Sequence, residues 1–104
     1  MVTAIDTIGT FIAGQTYDSF SSNAMMYFAV VKDIEIIGEA AYMLTNEFRE
    51  EHVEVEWQDI ISMRHVLVHG YYQISKAEVW DTATKNLSPL KAQIEQYLSE
   101  MEQQ

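Results

Sequence analysis

Three observations predict an all-α fold, an antiparallel bundle of four or five helices, for this chain of 104 residues. Apolar residues recur at spacings of three and four almost throughout. No stretch alternates cleanly between apolar and polar, and no Asn-Gly or Asp-Gly pair offers a hairpin turn. Glycine stands only at positions 9, 14, 38 and 70, and Pro89 is the sole proline. No repeat, low-complexity run or flexible linker divides the sequence, so residues 1–104 read as a single helical domain.

The first helix spans about residues 2–13, with Ile5, Ile8 and Ile12 on one stripe and Gly14 as its stop. QTYDSFSSN follows as a polar segment whose Ser and Asn residues suit the start of the next helix. The second helix is long, roughly Ala24 to Arg49. Its apolar positions are Tyr27, Val30, Val31, Ile34, Ile37, Ala41 and Leu44. EEHVEVE is an acidic connector. Trp57 opens the third helix, with Ile60, Ile61, Leu67 and Val68 facing inward and an end near His69 and Gly70. A fourth helical region begins at Ser75, a candidate N-cap. It breaks at Ser88-Pro89, where proline suits the first turn of a restarted helix, and runs to about Met101.

Composition narrows the function. The hydrophobic fraction of 48% supports a modest core, of the size that often gains stability by pairing with a second copy. Without cysteine there are no disulfides, thiolate nucleophiles or thiolate metal sites. The longest apolar run, AMMYFAVV, is far short of the ~20 residues that span a bilayer. No secretory start is apparent, so the expectation is a soluble, cytoplasmic protein that does not engage a membrane. A formal charge of −10 argues against broad nucleic-acid binding, which needs many Lys and Arg residues to displace counterions. RNA would have to be met at a local cationic spot or with a partner's help. The acidity otherwise serves solubility or docks a basic partner.

The stretch RHVLVHGYY, Arg64 to Tyr72, concentrates the candidate chemistry. Trp57, Ile60, Ile61, position 64, Val68 and Tyr71 recur by three and four, and a hydrophobe is expected at 64. The sequence supplies Arg64. Such a charge must snorkel, pair with a carboxylate, or face a cleft or subunit seam. His69 lies about 7.5 Å further along the axis and about 140° around it. Fraying at Gly70, the reach of Arg, or a second chain across a two-fold axis would bring the two together. An imidazole moves protons near neutral pH, and a guanidinium stabilises charge growing on phosphate oxygens.

His65 and His69 also share the i, i+4 spacing of paired metal ligands. Only distant carboxylates such as Glu35 or Glu39 could complete a zinc site, and no HExxH is present, so no metal or other cofactor is expected. Glu39 is the carboxylate best placed by sequence to orient or neutralise Arg64, as a catalytic support or as a structural salt bridge. Gly38 is unhelpful inside a helix. It makes sense if another helix or subunit approaches closely there.

The pattern Arg64-polar-x-x-x-His69-x-Tyr71, with His65 in the polar slot, resembles the signature of the HEPN superfamily, specifically its HepT-like branch. The segment EIIGEAA at 35–41, the frame W-x-x-I-x-x-M-R-x-x-L-x-H-G-Y over 57–71, and the continuation VWDTATKNLSPLKAQIEQYL at 79–98 strengthen the likeness. An Arg expected at the start of the EIIGEAA block is replaced by Lys32-Asp33. The resemblance implies a HEPN-type bundle that forms a symmetric homodimer with the two motifs meeting at a cleft. It implies a metal-independent endoribonuclease in which Arg64 holds the phosphate and His69 handles the proton of the attacking 2′-hydroxyl. It further implies a toxin whose antitoxin is a minimal nucleotidyltransferase that transfers AMP to Tyr71; by itself Tyr71 could equally pack the helix end. The rival reading is a non-catalytic subunit that binds nucleotide or substrate for that transferase. A bundle used only for assembly would leave Arg64 unexplained.

Overall fold

Apolar spacing becomes helix along the whole computed structural model, which describes residues 1–70 and 76–102 except for the side chains of His69, Gly70 and Glu102. The elements are α1 (Val2–Ile12), α2 (Tyr17–Ser21), α3 (Ala24–Tyr42), α4 (Asn46–Glu51), α5 (Trp57–Gly70), α6 (Lys76–Asp81) and α7 (Leu87–Glu102). The fold is all-α, as the spacing predicts. Among the described residues there is no strand. Among the described residues no helix is long and apolar enough to cross a membrane. Gly14 ends the first helical segment with φ of +72°, a conformation that favours glycine.

Three boundaries differ from the sequence expectation. QTYDSFSSN is not merely a connector, because Thr16 and Ser19 form a reciprocal capping box that starts α2 and sends Phe20 into the core. The expected helix Ala24 to Arg49 is two helices. The chain turns after Tyr42, and the Thr45 hydroxyl accepts the Phe48 amide at 3.1 Å to start α4. The expected break at Ser88-Pro89 lies further upstream, where Thr82–Asn86 winds as a wide π-turn between α6 and α7. Pro89 has no N–H for the carbonyl of Lys85, and a widened turn accommodates the missing bond without ending the rod. One inward stripe therefore continues through Val79, Ala83, Leu87, Leu90, Ile94 and Tyr97, all buried. The N-cap expected at Ser75 lies outside the described residues.

α3 organises the domain. It packs against α5 and α1, α1 also meets α7, and α2 bridges α3 to α6. Its inward residues Tyr27, Val30, Val31, Ile34, Ile37 and Ala41 are buried, as their spacing requires. Leu44 is partly buried beyond the helix end. Yet α3 is apolar on its opposite side too: Met25 is 83% exposed and Met43 74%, and Phe28 and Ile36 are also exposed. Helices apolar all round are normally covered on all sides. In α5, Trp57 and Leu67 are buried and Ile60 and Ile61 are partly buried, but Val68, expected inward, is 41% exposed.

A corner of aromatic residues fixes α4 and the acidic connector to α7. His52 stacks on Phe48 with 4.1 Å between ring centroids and meets Tyr97 at the same distance. Its Nδ1–H donates to the Phe48 carbonyl at 2.8 Å, while the Trp57 indole donates to the His52 carbonyl at 2.9 Å. Val55, inside EEHVEVE, is buried beneath.

Candidate active site

Arg64 is placed by a glycine on the facing helix. A Cβ at Gly38 would overlap the Arg64 Cβ and come within 3.1 Å of the Ile60 carbonyl oxygen. Any side chain there would force α3 and α5 apart. Gly38 therefore serves the close approach that its helix-interior position suggests, and the partner is α5. It lies near the C-terminal end of α3 while Ile60 and Arg64 lie between the start and the middle of α5, the placement that an antiparallel pair takes. The stem of Arg64 occupies the seam and the residue as a whole is half-buried.

The carboxylate expected to meet it is elsewhere. Glu39 is exposed on α3, and among the described residues no ion pair joins it to Arg64. The expected bridge does not form within one chain, because packing through Gly38 turns the next residue along the helix away from the seam. Glu35 is occupied with Lys32 at 3.8 Å. His65 follows Arg64 on the exposed side of α5. His69 occupies the last turn of α5, about 7.5 Å along the axis from Arg64. Its side chain, and the whole of Tyr71, lie outside the described residues. The structure thus brings Arg64 onto Gly38 and leaves Glu39 apart.

The charge distribution sets this position off. The chain has six cations. Lys85 is paired with Asp81 at 3.3 Å, Lys91 with Asp6 at 2.6 Å, and Arg49 donates to the Asn46 side-chain oxygen at 2.7 Å. Arg49, Arg64 and Lys76 meet no carboxylate at ion-pair distance among the described residues, and of the three only Arg64 is packed into a helix seam. A half-buried guanidinium that meets no carboxylate among the described residues is poised for an anion.

Elsewhere, a cleft of about 520 Å³ lies between α5 and the α6–α7 rod, floored by Ile34 and Ile37. Among the described residues none of the expected site residues lines it, and Glu54, Glu56 and Asp59 do. Asp59, hydrogen-bonded to Glu56 and like-charged, raises the Glu56 carboxyl above its ordinary range. That field repels phosphate. Sequence reasoning also passed over Asp33, one of whose carboxylate oxygens is buried without a hydrogen-bond partner among the described residues. Burial raises its pKa. Its place among Val30, Val31 and Ile34 was the available signal.

Comparison with known proteins bears on residues 1–97, which match the HepT-like family, described as ribonuclease HepT-like. A Thermococcus cleftensis protein named a probable ribonuclease HepT is 32% identical over 92 residues, 88% of this chain and 84% of the relative. Relatives from Caldanaerobacter subterraneus and Methanocaldococcus jannaschii, each provisionally named an RNase, are 34% and 33% identical. They align with 84% and 76% of this chain, covering 78% and 72% of their own lengths. No solved structure matches. With the Arg64-to-Tyr71 segment inside the matched span and relatives aligned over most of their length, this chain belongs to the HepT-like ribonuclease family.

Proposed function

We propose that the protein is a metal-independent endoribonuclease that works as a homodimer, the toxin of a pair whose antitoxin is a minimal nucleotidyltransferase. The observation that carries this reading is the family match over residues 1–97, which includes Arg64, His65, His69 and Tyr71. Support also comes from the uncompensated guanidinium on Gly38 and from the outward stripe of α3, whose Met25, Phe28, Ile36 and Met43 suit burial against a second copy. A two-fold seam along that stripe would bring both motifs into one cleft. The setting is the cytoplasm.

In the proposed reaction the RNA 2′-hydroxyl attacks the adjacent phosphorus. His69 accepts its proton, the P–O5′ bond breaks, and a 2′,3′-cyclic phosphate and a 5′-hydroxyl result; the leaving oxygen is reprotonated by solvent or by the imidazolium. Arg64 neutralises charge on the phosphate oxygens as the bond forms. The antitoxin joins the Tyr71 phenol oxygen to the α-phosphorus of ATP with loss of pyrophosphate. The AMP so placed would block RNA by charge and volume.

The test is RNA cleavage by the purified dimer with and without chelator. Cleavage that persists in EDTA is the expected result; loss in EDTA restored by zinc would revive a His65/His69 metal site. Tyr71→Phe should still cut RNA but escape the antitoxin. One observation favours a second reading, a non-catalytic subunit that binds nucleotide for the transferase: the charge of −10 with no Lys/Arg cluster. A dimer free of AMP that binds the transferase and cuts no RNA would establish that reading instead.

A further inference from the structure

An acidic nuclease needs somewhere to hold RNA beyond the reacting phosphate, and the bundle carries one patch with the right chemistry. At the N-terminal end of α3 five rings touch in succession. Tyr17 meets Trp80 edge-on at 6.4 Å, Trp80 meets Phe20 at 5.0 Å, Phe20 meets Tyr27 at 5.8 Å, and Tyr27 meets Phe28 at 5.3 Å. Phe20 and Tyr27 are buried and anchor the row; Tyr17 is 40% exposed and Trp80 half-buried. Lys76 stands over the Tyr27 ring, with its Nζ 5.3 Å from the ring centroid and donating to the Ser21 carbonyl at 2.8 Å. It is one of three cations, with Arg49 and Arg64, that meet no carboxylate at ion-pair distance among the described residues. Local sequence builds the patch: the Thr16/Ser19 capping box starts α2 at Tyr17, and the α2 carbonyl of Ser21 holds Lys76 in place.

The patch and the candidate active site both border α3. Tyr27 precedes Gly38 by eleven residues, so it lies about 16 Å from the Arg64 seam along α3. Because α5 is antiparallel, its last turn with His69 runs from Arg64 toward the patch and covers about 7.5 Å of that distance.

We infer that Tyr17, Trp80 and Lys76 form a platform for a single-stranded segment of the RNA substrate flanking the cut phosphate, a reading that rests on the ribonuclease proposal. Aromatic faces stack bases without regard to sequence, and a lysine held among them meets the backbone charge. The platform resolves how so acidic a chain engages RNA: it sets Lys76, which meets no carboxylate at ion-pair distance among the described residues, beside Arg64 in the service of one strand instead of spreading a basic surface.

The probe is a fluorescent single strand of about 12 nucleotides, 2′-O-methylated so that it cannot be cut, with binding read by anisotropy at several salt concentrations. Tyr17→Ala and Lys76→Gln should each raise Kd on the order of tenfold. Lys76→Gln should also flatten the salt dependence by about one unit of slope. With cleavable RNA the same variants should raise KM and leave kcat unchanged, while a dinucleotide too short to reach the patch is cut as by wild type. Lys76→Gln retains a donor for the Ser21 carbonyl and carries the test if Tyr17→Ala fails to fold. Phe28 is left intact because it belongs to the stripe proposed as the dimer seam. Wild-type Kd and salt slope in both variants would overturn the platform, as would a change in oligomeric state with Kd unaltered, which would mark the patch as a contact between copies. Failure of the ribonuclease reading appears separately, as unmodified RNA left uncut by wild type while the methylated strand still reports on the platform.

Discussion

The corner where α4 meets α7 and the seam where α3 meets α5 both bring polar groups against an apolar core, and they treat those groups differently. At the corner, partners lie within the chain: His52 Nδ1–H donates to Phe48, the Trp57 indole to His52, and the Tyr97 hydroxyl to Glu54. At the seam, Arg64 packs its stem on Gly38 and meets no carboxylate at ion-pair distance among the described residues. A polar group satisfied in place contributes to the fold. One left with capacity is where a ligand can contribute, and consistency between local structure and packing lapses at such places.

The comparison breaks first on catalysis. His69→Ala should lower RNA cleavage by ~10²- to 10⁴-fold with little change in melting temperature, since general acid–base transfer carries that much rate. Arg64→Ala should lower it by ~10²- to 10³-fold through lost charge stabilisation, and it should also disturb the dimer. Cleavage assayed beside thermal melting checks both. A wild-type rate in either variant would remove that residue from the chemistry.

At the corner the sensitivity should be reversed. Trp57 is buried and carries an indole hydrogen bond, so Trp57→Ala should destabilise the fold by about 3–5 kcal/mol. That is a large share of the ~5–15 kcal/mol that holds a small domain together. The fraction that remains folded should still cut RNA at a wild-type rate per molecule. Denaturant titration with activity normalised to folded protein separates the two effects, and a rate loss exceeding the folded-fraction loss would tie the corner to the site.

How much of each region could be read in the sequence follows from the same contrast. The seam was legible because it breaks a rule: a glycine inside a helix and an arginine on an apolar stripe each ask for an explanation, and one explains the other. The corner was not, because nothing in NEFREEHVEVEW violates local expectation. Leu44 and Phe48 continue the three-and-four spacing of α3, so periodicity reads straight through the turn that Thr45 caps. Phe20 was hidden in a polar segment because a helix of little more than one turn has no period to detect. The exposure of Val68 and the separation of Glu39 from Arg64 have a further reason. The spacing identifies a stripe, but which edge of it faces a neighbour depends on how closely α3 and α5 approach, and that is set by tertiary packing at Gly38.

Two glycines sharpen the point at smaller magnitude. Gly9, in α1, has nothing within 4 Å of where a Cβ would stand, so Gly9→Ala should stabilise the protein by about 0.5–1 kcal/mol through lower chain entropy in the unfolded state. Gly38→Ala would gain the same helix propensity, yet the added methyl overlaps the Arg64 Cβ, which is not a free side-chain end that can swing aside. The expected result is a net loss of about 1–3 kcal/mol and reduced cleavage as Arg64 shifts. Melting and activity measured on the pair check it. Equal behaviour of the two variants would mean that α3 and α5 do not pack closely in solution.

The smallest expected effect tests whether the corner is purely structural. Tyr97→Phe removes the hydroxyl that donates to Glu54 and leaves the ring in place, so it should lower the melting temperature by only a few degrees at neutral pH and leave cleavage unchanged. Its pH dependence is the informative part. The hydrogen bond from Tyr97 holds the Glu54 carboxyl below the usual carboxylate value of 4.5, so the Glu54 contribution is present above that value and is lost as pH falls through the folded pKa. Burial, then the bond to Glu54, pushes the Tyr97 hydroxyl from 10.0 up to about 12, so its contribution is complete below pH 10 and is lost as pH rises from 10 toward 12. The wild-type advantage over Tyr97→Phe should therefore form a plateau from about pH 5 to 10 and close on both sides, most steeply below pH 4.5, as melting curves across that range would show. A difference that stayed constant into acid would mean the hydroxyl acts by packing alone. A difference in cleavage rate at pH 7 would mean the corner reaches the seam, and the division drawn between the two regions would fail.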